Sequence, residues 1–428
     1  MDSFDRRSFL RVGSISAFGS LPWGTALQLR AQASAAQKPK RELSVIHLWL
    51  AGGMSQLDTF DMKPNGDAKV RGPFKEISTN VPGTRICEHL PKLAKLTDKL
   101  LIIRSMNHKI ADHPQAMTFV MTGHQPLPTI QCPSMPAVVS RESTAGGELP
   151  PAVSIPGPAG NWDRAGFLGS RYNPFAAGNP NQDSYKVQDL ELPMGVDWAR
   201  VDHRRGLLSI IDRKFRAMDK TGIAENMDSY YQTAFDLIRS DKAKKTFKIE
   251  EEPEPMRERY GRTSFGQGCL LARRLVESGV RFVTVSRGVG AWDHHGRIFQ
   301  QLSTDYLPDF DRSFSALIED LEQRGMLDST LVLVTGEFGR TPEVNGNTGR
   351  DHWPNAFTLL MAGGGVPGGR VWGESDKNAA FVKDNPVQVP DLLATVYNKL
   401  GIDYQKEYIS NTGRPVRIGA GGHPLPFV

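Results

Sequence analysis

The sequence predicts an α/β protein with a mostly parallel central sheet and helices on both faces. Strand-like apolar segments alternate with segments of helical periodicity along the chain, which is the pattern of repeated βαβ units. Several of these strands are apolar almost throughout, as expected where helices cover both faces of a sheet. Acidic residues and histidines follow the strands, and open α/β sheets bind ligands at the carboxyl ends of their strands. We therefore expect the functional site at that edge of the sheet.

Apolar segments predict strands at residues 43–51, 100–103, 281–286, 331–335 and 357–361. Helical periodicity predicts helices at 115–121, 265–277, 299–321 and 390–397, and the last three end near a glycine. The periodicity of residues 200–245 indicates a helical insertion, and the Pro- and Gly-rich segment 132–182 is interpreted as long loops over the sheet edge. In a chain of 428 residues, we expect residues 34–428 to form a single domain.

The first 33 residues are interpreted as a twin-arginine signal peptide. Arg6-Arg7 lies in an export motif that a weakly apolar run and an Ala31-Gln-Ala33 cleavage site follow. The run is too short and too rich in Gly and Ser to be a good membrane span. We therefore expect the twin-arginine translocase as a partner during export and a periplasmic or extracellular location. Such signals carry proteins that are already folded, often with a cofactor bound.

Composition limits the classes of partner. The formal net charge is +5 and 23% of the residues are charged, with basic residues interleaved among acidic ones, so the sequence predicts no nucleic-acid surface. Cys87, Cys132 and Cys269 show no metal-ligand spacing. At most one disulfide can form among them.

Asp293 and His295 are the first candidate metal ligands. They follow the strand at 281–286, in the sequence Trp292-Asp-His-His-Gly296. In an extended segment, residues two apart point the same way, so both side chains can bind one ion while His294 faces away. A carboxylate with an imidazole suits Zn or Mn better than Ca.

Further candidates follow the ends of other strands. Glu337 follows the strand at 331–335, Asp351 and His352 come after a Gly- and Asn-rich loop, and Asp58 follows the first strand as a weaker candidate. These groups predict a site for one or two divalent ions, and two such ions can clamp an in-line displacement at phosphorus or sulfur. Arg340 is expected to anchor a tetrahedral oxyanion through two hydrogen bonds.

His113 lies at the predicted start of the helix that follows the strand at 100–103. Free backbone N–H groups at a helix start favour an anion or a nucleophile at this position.

Three motifs carry a resemblance to a known family: Trp292-Asp-His-His-Gly296, Thr335-Gly-Glu-Phe-Gly-Arg-Thr-Pro342 and Gly349-Arg-Asp-His352. They resemble the motif set of the DUF1501 family of exported bacterial proteins, which is grouped with the alkaline phosphatase/sulfatase superfamily. The resemblance covers residues 45–402. It implies an alkaline phosphatase-like fold and a metal-dependent hydrolase.

One segment is similar to the sulfatase nucleophile helix and departs from it. That helix ends in Thr-Gly, here Thr122-Gly123, and sulfatases carry a Cys or Ser that becomes formylglycine nine residues before the Thr. This chain has His113 there and no Cys-x-Pro-x-Arg sequence anywhere, which argues against formylglycine chemistry. The resemblance leaves His113 open as a nucleophile, a metal ligand or a transition-state stabiliser.

The function expected from these observations is the hydrolysis of a phosphate or sulfate ester, on a small molecule or a polysaccharide, by an exported metal-dependent enzyme. The alternative is a non-catalytic metal-binding or surface-assembly protein that retains the fold. The missing nucleophile favours the alternative, and the concentration of acidic and imidazole groups at strand ends favours the enzyme.

Overall fold

The computed structural model describes residues 42–143, 148–157, 160–187, 197–203, 206 and 237–427. Within these residues the strands are β1 (Ser44–Trp49), β2 (Glu76–Ser78), β3 (Arg85–Cys87), β4 (Leu100–Asn107), β5 (Ala152–Ile155), β6 (Phe175–Ala176), β7 (Phe282–Ser286), β8 (Thr330–Thr335), β9 (Gly339–Arg340), β10 (His352–Trp353), β11 (Phe357–Ala362), β12 (Arg370–Trp372), β13 (Glu374–Ser375), β14 (Val382–Asp384), β15 (Val387–Gln388), β16 (Glu407–Ile409) and β17 (Pro415–Arg417).

The helices of the described residues are α1 (His113–Thr122), α2 (Met135–Glu142), α3 (Asp241–Phe247), α4 (Glu254–Tyr260), α5 (Ser264–Glu277), α6 (Ile298–Gln301), α7 (Leu307–Gln323) and α8 (Val389–Lys399). The helix predicted at 299–321 is thus divided into α6 and α7. A π-helical turn, Leu302–Tyr306, joins the two parts. A proline lies in the first turn of α7, where it has no N–H to donate to the preceding turn.

In the described part of the chain, nine strands form one sheet, with eight in the order β12-β4-β11-β8-β1-β7-β5-β6 and β15 paired to β4. Neighbouring strands run parallel from β8 to β6. Of the strands described in this sheet, only β11 runs against both of its neighbours. The chain between β8 and β11 stays at the carboxyl edge of β8, so β11 starts there and runs back without a crossover helix. A mostly parallel sheet is therefore confirmed.

Helices cover both faces of this sheet. Alternate residues of β1 belong to two separate apolar clusters: Ile46 and Leu48 pack with α5 and α7, whereas Val45 and Trp49 pack with α1, α2 and α8. Since both sets of side chains are buried, β1 is apolar throughout its length. Residues 43–428 form one compact unit.

The interpretation of residues 132–182 as loops is wrong. This segment contains α2 and β5, and β5 lies in the central sheet between β7 and β6. All four residues of β5 are buried. A strand this short, with prolines on both sides, shows no periodicity that could distinguish it from a loop.

Two predictions lie outside the described residues. These are the signal peptide at 1–33 and most of the helical insertion at 200–245. The end of the predicted insertion is described, and α3 begins there at Asp241. No described helix has both the length and the apolar character needed to cross a membrane. Cys87, Cys132 and Cys269 are all free thiols.

Candidate metal site

Four side chains converge at the carboxyl edge of the sheet: His113, Asp293, His295 and His352. One potential ligand atom of each lies within 4.8 Å of the corresponding atoms of the others. His113 begins α1, Asp293 and His295 follow β7, and His352 begins β10. The cluster therefore joins three segments that are distant in sequence.

The three imidazoles of this cluster have the same arrangement. In each ring Nδ1 lies within hydrogen-bond distance of an acceptor: Glu337 Oε1 at 2.6 Å from His113, Asp351 Oδ1 at 2.6 Å from His295, and the Ala111 carbonyl oxygen at 2.7 Å from His352. An ionised carboxylate or a carbonyl can only accept. The proton of each neutral ring therefore lies on Nδ1, and the lone pair on Nε2.

All three Nε2 atoms face the carboxylate of Asp293. Its Oδ1 lies 2.9 Å from Nε2 of His295 and 3.2 Å from Nε2 of His352. Its Oδ2 lies 3.2 Å from Nε2 of His113. Three imidazole nitrogens and one carboxylate around one point match the donor set that Zn or Mn takes in proteins. Hydrogen bonds at Nδ1 usually orient histidine ligands, as they do here.

Electrostatics favour a cation at this point. Burial raises the pKa of Asp293, but hydrogen bonds from His113, His352 and Arg340 outweigh burial and hold the pKa well below its usual range. Hydrogen bonds with Asp293 and Glu337 raise the pKa of His113 to about 9. Without a metal His113 is therefore cationic at neutral pH, and a metal ion bound to it must displace a proton.

Two glycines bring the ends of β1, β7 and β8 together. Gly52 has a φ of 112° and Gly53 a φ of 88°, conformations that favour glycine. A Cβ on Gly52 would lie closer than 3.0 Å to the backbone nitrogen of Asp293, and one on Gly53 would lie closer than 3.0 Å to the carbonyl oxygen of Phe338. Backbone therefore packs directly on backbone at the point where the polar side chains emerge.

Glu337 lies behind His113 and outside the group of four. It is fully buried, and its Oε1 accepts hydrogen bonds from His113 and, at 2.8 Å, from the backbone nitrogen of Gly52. Its Oε2 is buried and accepts no hydrogen bond from the described residues. A buried oxygen without a donor is costly, so Glu337 stays a candidate ligand through this second atom.

Asp351 and Asp58 also lie outside the group of four. Asp351 contacts the outer nitrogen of His295 and is about half exposed. The buried carboxylate of Asp58 accepts two hydrogen bonds from Arg350, at 2.8 and 3.2 Å, and one from Ser55 at 2.6 Å. Both oxygens of Asp58 thus accept hydrogen bonds from the protein, which argues against Asp58 as a metal ligand.

The arrangement also argues against Arg340 as the substrate anchor. Its side chain is fully buried, and its guanidinium donates to the carbonyl oxygens of Gly52, Gly53, Trp292 and Arg350 and to Asp293 Oδ1. Arg340 therefore connects the end of β1 to Asp293, and each of its guanidinium nitrogens donates within the protein. The sequence shows the arginine but not its burial, because burial depends on segments far apart in the chain.

His294 points away from the cluster, as the alternation along this segment predicts. It is buried, and its ring packs edge-on against Tyr306 at 4.5 Å between centroids. Burial lowers the pKa of His294 to about 4. Two groups around the site could not be assigned their roles from the sequence. These are the Ala111 carbonyl oxygen, which accepts from His352, and the Arg350 guanidinium, which donates to Asp58.

The family model described as "Protein of unknown function (DUF1501)" matches residues 42–427. The chain belongs to the DUF1501 family. No curated protein matches it.

Several solved structures are similar to the chain. The lipoteichoic acid synthase LtaP from Listeria monocytogenes is 11% identical, with 89% of this chain and 75% of that one covered and a TM-score of 0.36. The PsFucS1 sulfatase from Pseudoalteromonas sp. is 11% identical (87% and 70% covered, TM-score 0.39). The phosphonate monoester hydrolase SpPMH from Silicibacter pomeroyi is 10% identical (90% and 76% covered, TM-score 0.32). These likenesses carry no inference about fold or activity.

Proposed function

We propose that this chain is an exported metal-dependent hydrolase of a phosphate or sulfate ester, with an ion held by His113, Asp293, His295 and His352. One observation carries the proposal: each of the three imidazoles has its Nδ1 engaged by an acceptor and its Nε2 directed at the same point. Such an arrangement costs side-chain entropy and brings cationic or lone-pair groups together. An ion at that point compensates for both effects.

The donor set favours Zn or Mn over Ca, because three of its four groups are imidazoles. A divalent ion there supplies a Lewis acid that polarises an ester oxygen and lowers the pKa of water. The side chain of His295 is 45% exposed, whereas that of Asp293 is 25% exposed. Substrate therefore approaches from the His295 side.

The protein residues hold this site in a fixed protonation state. Arg340 keeps Asp293 ionised, and Glu337 and Asp351 keep the proton of their histidine on Nδ1. With Nδ1 of His113 engaged by Glu337 and Nε2 by the cluster, we assign His113 to the ligands and not to nucleophilic attack. Water then attacks the ester directly, and the products are the alcohol and free phosphate or sulfate.

One observation favours the non-catalytic alternative. Arg340, the group expected to bind a tetrahedral oxyanion, is buried, and each of its three guanidinium nitrogens donates to a protein oxygen. A metal-binding protein without turnover would keep the same cluster and need no anion anchor. Metal content and turnover must therefore be measured separately.

The test uses the purified mature protein, its His352→Ala variant and a control variant, His124→Ala. His124 follows the other end of α1, and its ring contacts a carbonyl oxygen of Arg417. Metal content is measured by elemental analysis, and turnover on aryl phosphate and aryl sulfate esters after loading with Zn or Mn. We expect bound metal and turnover in the wild type and the control, and loss of both in His352→Ala. Bound metal with no turnover on either ester would favour the non-catalytic alternative.

A further inference from the structure

A concave feature lies between the segments at 57–76 and Arg85. Its volume is about 460 Å³, within the range of roughly 300–1,000 Å³ that small-molecule sites occupy. Leu57, Met62 and Phe74 supply its apolar surface. We call this feature the basic cleft, because most of its charged side chains are cations.

The charges of the basic cleft do not cancel. Lys63, Arg71, Lys75 and Arg85 line it together with the acid Glu76. Lys63 pairs with the buried Asp61 at 2.9 Å. Arg85 pairs with Glu76 at 3.2 Å. Among the residues the structure describes, the ion pairs of the cleft are those of Lys63 and Arg85, and neither Arg71 nor Lys75 has a carboxylate partner at ion-pair distance. Both side chains are exposed, so their positive charge is available to an anion.

Short contacts connect the basic cleft to the metal cluster. Leu57 in the cleft wall precedes Asp58, whose carboxylate pairs with Arg350 at 2.8 Å. Arg350 also donates to the carbonyl oxygen of Val70, at 2.9 Å, just before the cleft residue Arg71. The next residue, Asp351, contacts the ring of His295 at 2.6 Å. The loop that supports a metal ligand thus packs against the segment that lines the cleft.

We propose that the basic cleft binds an anionic group of a polyanionic chain, while a neighbouring ester of the same chain reaches the metal cluster. The substrate class is then a polymer with repeated sulfate or phosphate esters. The apolar surface suits the uncharged part of a repeating unit, and Arg71 and Lys75 suit its tetrahedral oxyanion. The assignment of the polymer as substrate rests on the proposed function, whereas its binding to the cleft does not.

Binding is tested on the full mature protein with labelled dextran sulfate and labelled dextran phosphate, with neutral dextran as a blank. The cleft variant is Arg71→Glu/Lys75→Glu. The matched control, Lys242→Glu/Lys245→Glu, makes the same change of charge at two exposed positions of α3. We expect the cleft variant to bind the preferred polymer about tenfold more weakly at low ionic strength, and the control to bind it almost as well as the wild type. The polymer that binds more tightly identifies the ester class.

Three results would overturn the proposal. Wild type that binds neither polymer has no such site, and equal weakening in both double variants means only general attraction between opposite charges. If wild type is a hydrolase, its kcat/KM on the polymer is divided by its kcat/KM on an aryl ester. This ratio must be lower in the cleft variant, and an unchanged ratio removes the polymer as substrate. The cleft variant should keep the metal that His352→Ala loses, so metal content distinguishes loss of the metal site from loss of the cleft.

Discussion

The Nε2 atoms of His295 and His352 lie 3.0 Å apart. Each ring already has an acceptor for its Nδ1 proton, Asp351 for His295 and the Ala111 carbonyl for His352. When both rings are neutral, two lone pairs face each other at this distance and repel unless a proton or a cation lies between them. A metal ion bound by both nitrogens removes this repulsion. The pair therefore gives a direct reason to measure metal content before activity.

Adjacent histidines provide a test of which side chains bind the ion. His295→Ala removes a nitrogen from the cluster, whereas His294→Ala removes a buried ring that packs on Tyr306. We expect His295→Ala to lower metal affinity by more than the roughly 10–100-fold that follows the loss of a residue hydrogen-bonded to a ligand. His294→Ala should keep the metal and lose stability, as a truncated buried side chain does. Titration with Zn and thermal denaturation measure the two effects, and the reverse pattern would mean that the segment faces the other way.

Glu337 and Asp351 occupy equivalent positions behind two histidines but differ in burial. Glu337 is fully buried, whereas the side chain of Asp351 is 51% exposed. We expect Glu337→Gln to lower metal affinity by about 10–100-fold, and Asp351→Asn by less, because water can replace an exposed acceptor. Isothermal titration gives both affinities and the number of ions bound. A lower number of ions in Glu337→Gln would instead make Glu337 a direct ligand through its Oε2.

The raised pKa of His113 predicts a pH dependence for the metal-free protein. Hydrogen bonds with Asp293 and Glu337 raise this pKa from 6.5 to about 9. Folding then binds a proton, so the stabilising contribution is complete below pH 6.5 and is lost as pH rises through about 9. We expect the free energy of unfolding to fall across this window in wild type and to change less in His113→Ala. Urea denaturation after chelation measures both profiles.

The same proton should compete with the metal. Because a metal bound to His113 displaces its proton, the affinity for Zn should increase as pH rises toward 9. An affinity independent of pH over that interval, together with parallel denaturation profiles, would contradict the ion pairing of His113.

Gly52 allows a test of backbone packing at the strand ends. Its φ of 112° is close to the 105° of Gly279, but a Cβ on Gly279 would meet nothing within 4 Å. The substitutions Gly52→Ala and Gly279→Ala therefore carry a similar conformational cost, and only the first also clashes with Asp293. We expect Gly52→Ala to be more destabilising by about 1–3 kcal/mol and to weaken metal binding. Equal effects in thermal denaturation would show that the close packing does not matter.

The proposed export depends on Arg6-Arg7. With both changed to Lys, we expect the protein to stay in the cytoplasm with its N-terminus uncleaved, because the twin-arginine translocase recognises the arginine pair. Cell fractionation followed by N-terminal sequencing measures location and cleavage. Periplasmic delivery of this double variant would refute the predicted targeting, and a variant with Arg11→Lys alone serves as the control.

The sequence alone determined the features that depend on local patterns. Continuous apolar runs predicted strands buried on both faces, as in β1 and β8, because side chains alternate between the two faces of a sheet. The same alternation separated Asp293 and His295 from His294. Acidic and imidazole residues after successive strands indicated the edge of the sheet where the cluster lies, because the carboxyl ends of parallel strands meet there.

Only the tertiary structure decided what each of these side chains contacts. Glu337 meets His113 across 224 residues, and Arg350 meets Asp58 across 292 residues. Such pairs follow from the order of strands in the sheet and from backbone packing at Gly52, and neither leaves a periodic signal in the sequence. For the same reason, the sequence predicted Arg340 as a substrate anchor and residues 152–155 as part of a loop. Burial and strand neighbours are properties of the assembled sheet. In that sheet Arg340 is buried and binds the carbonyl oxygens at the strand ends, and residues 152–155 form a strand between β7 and β6.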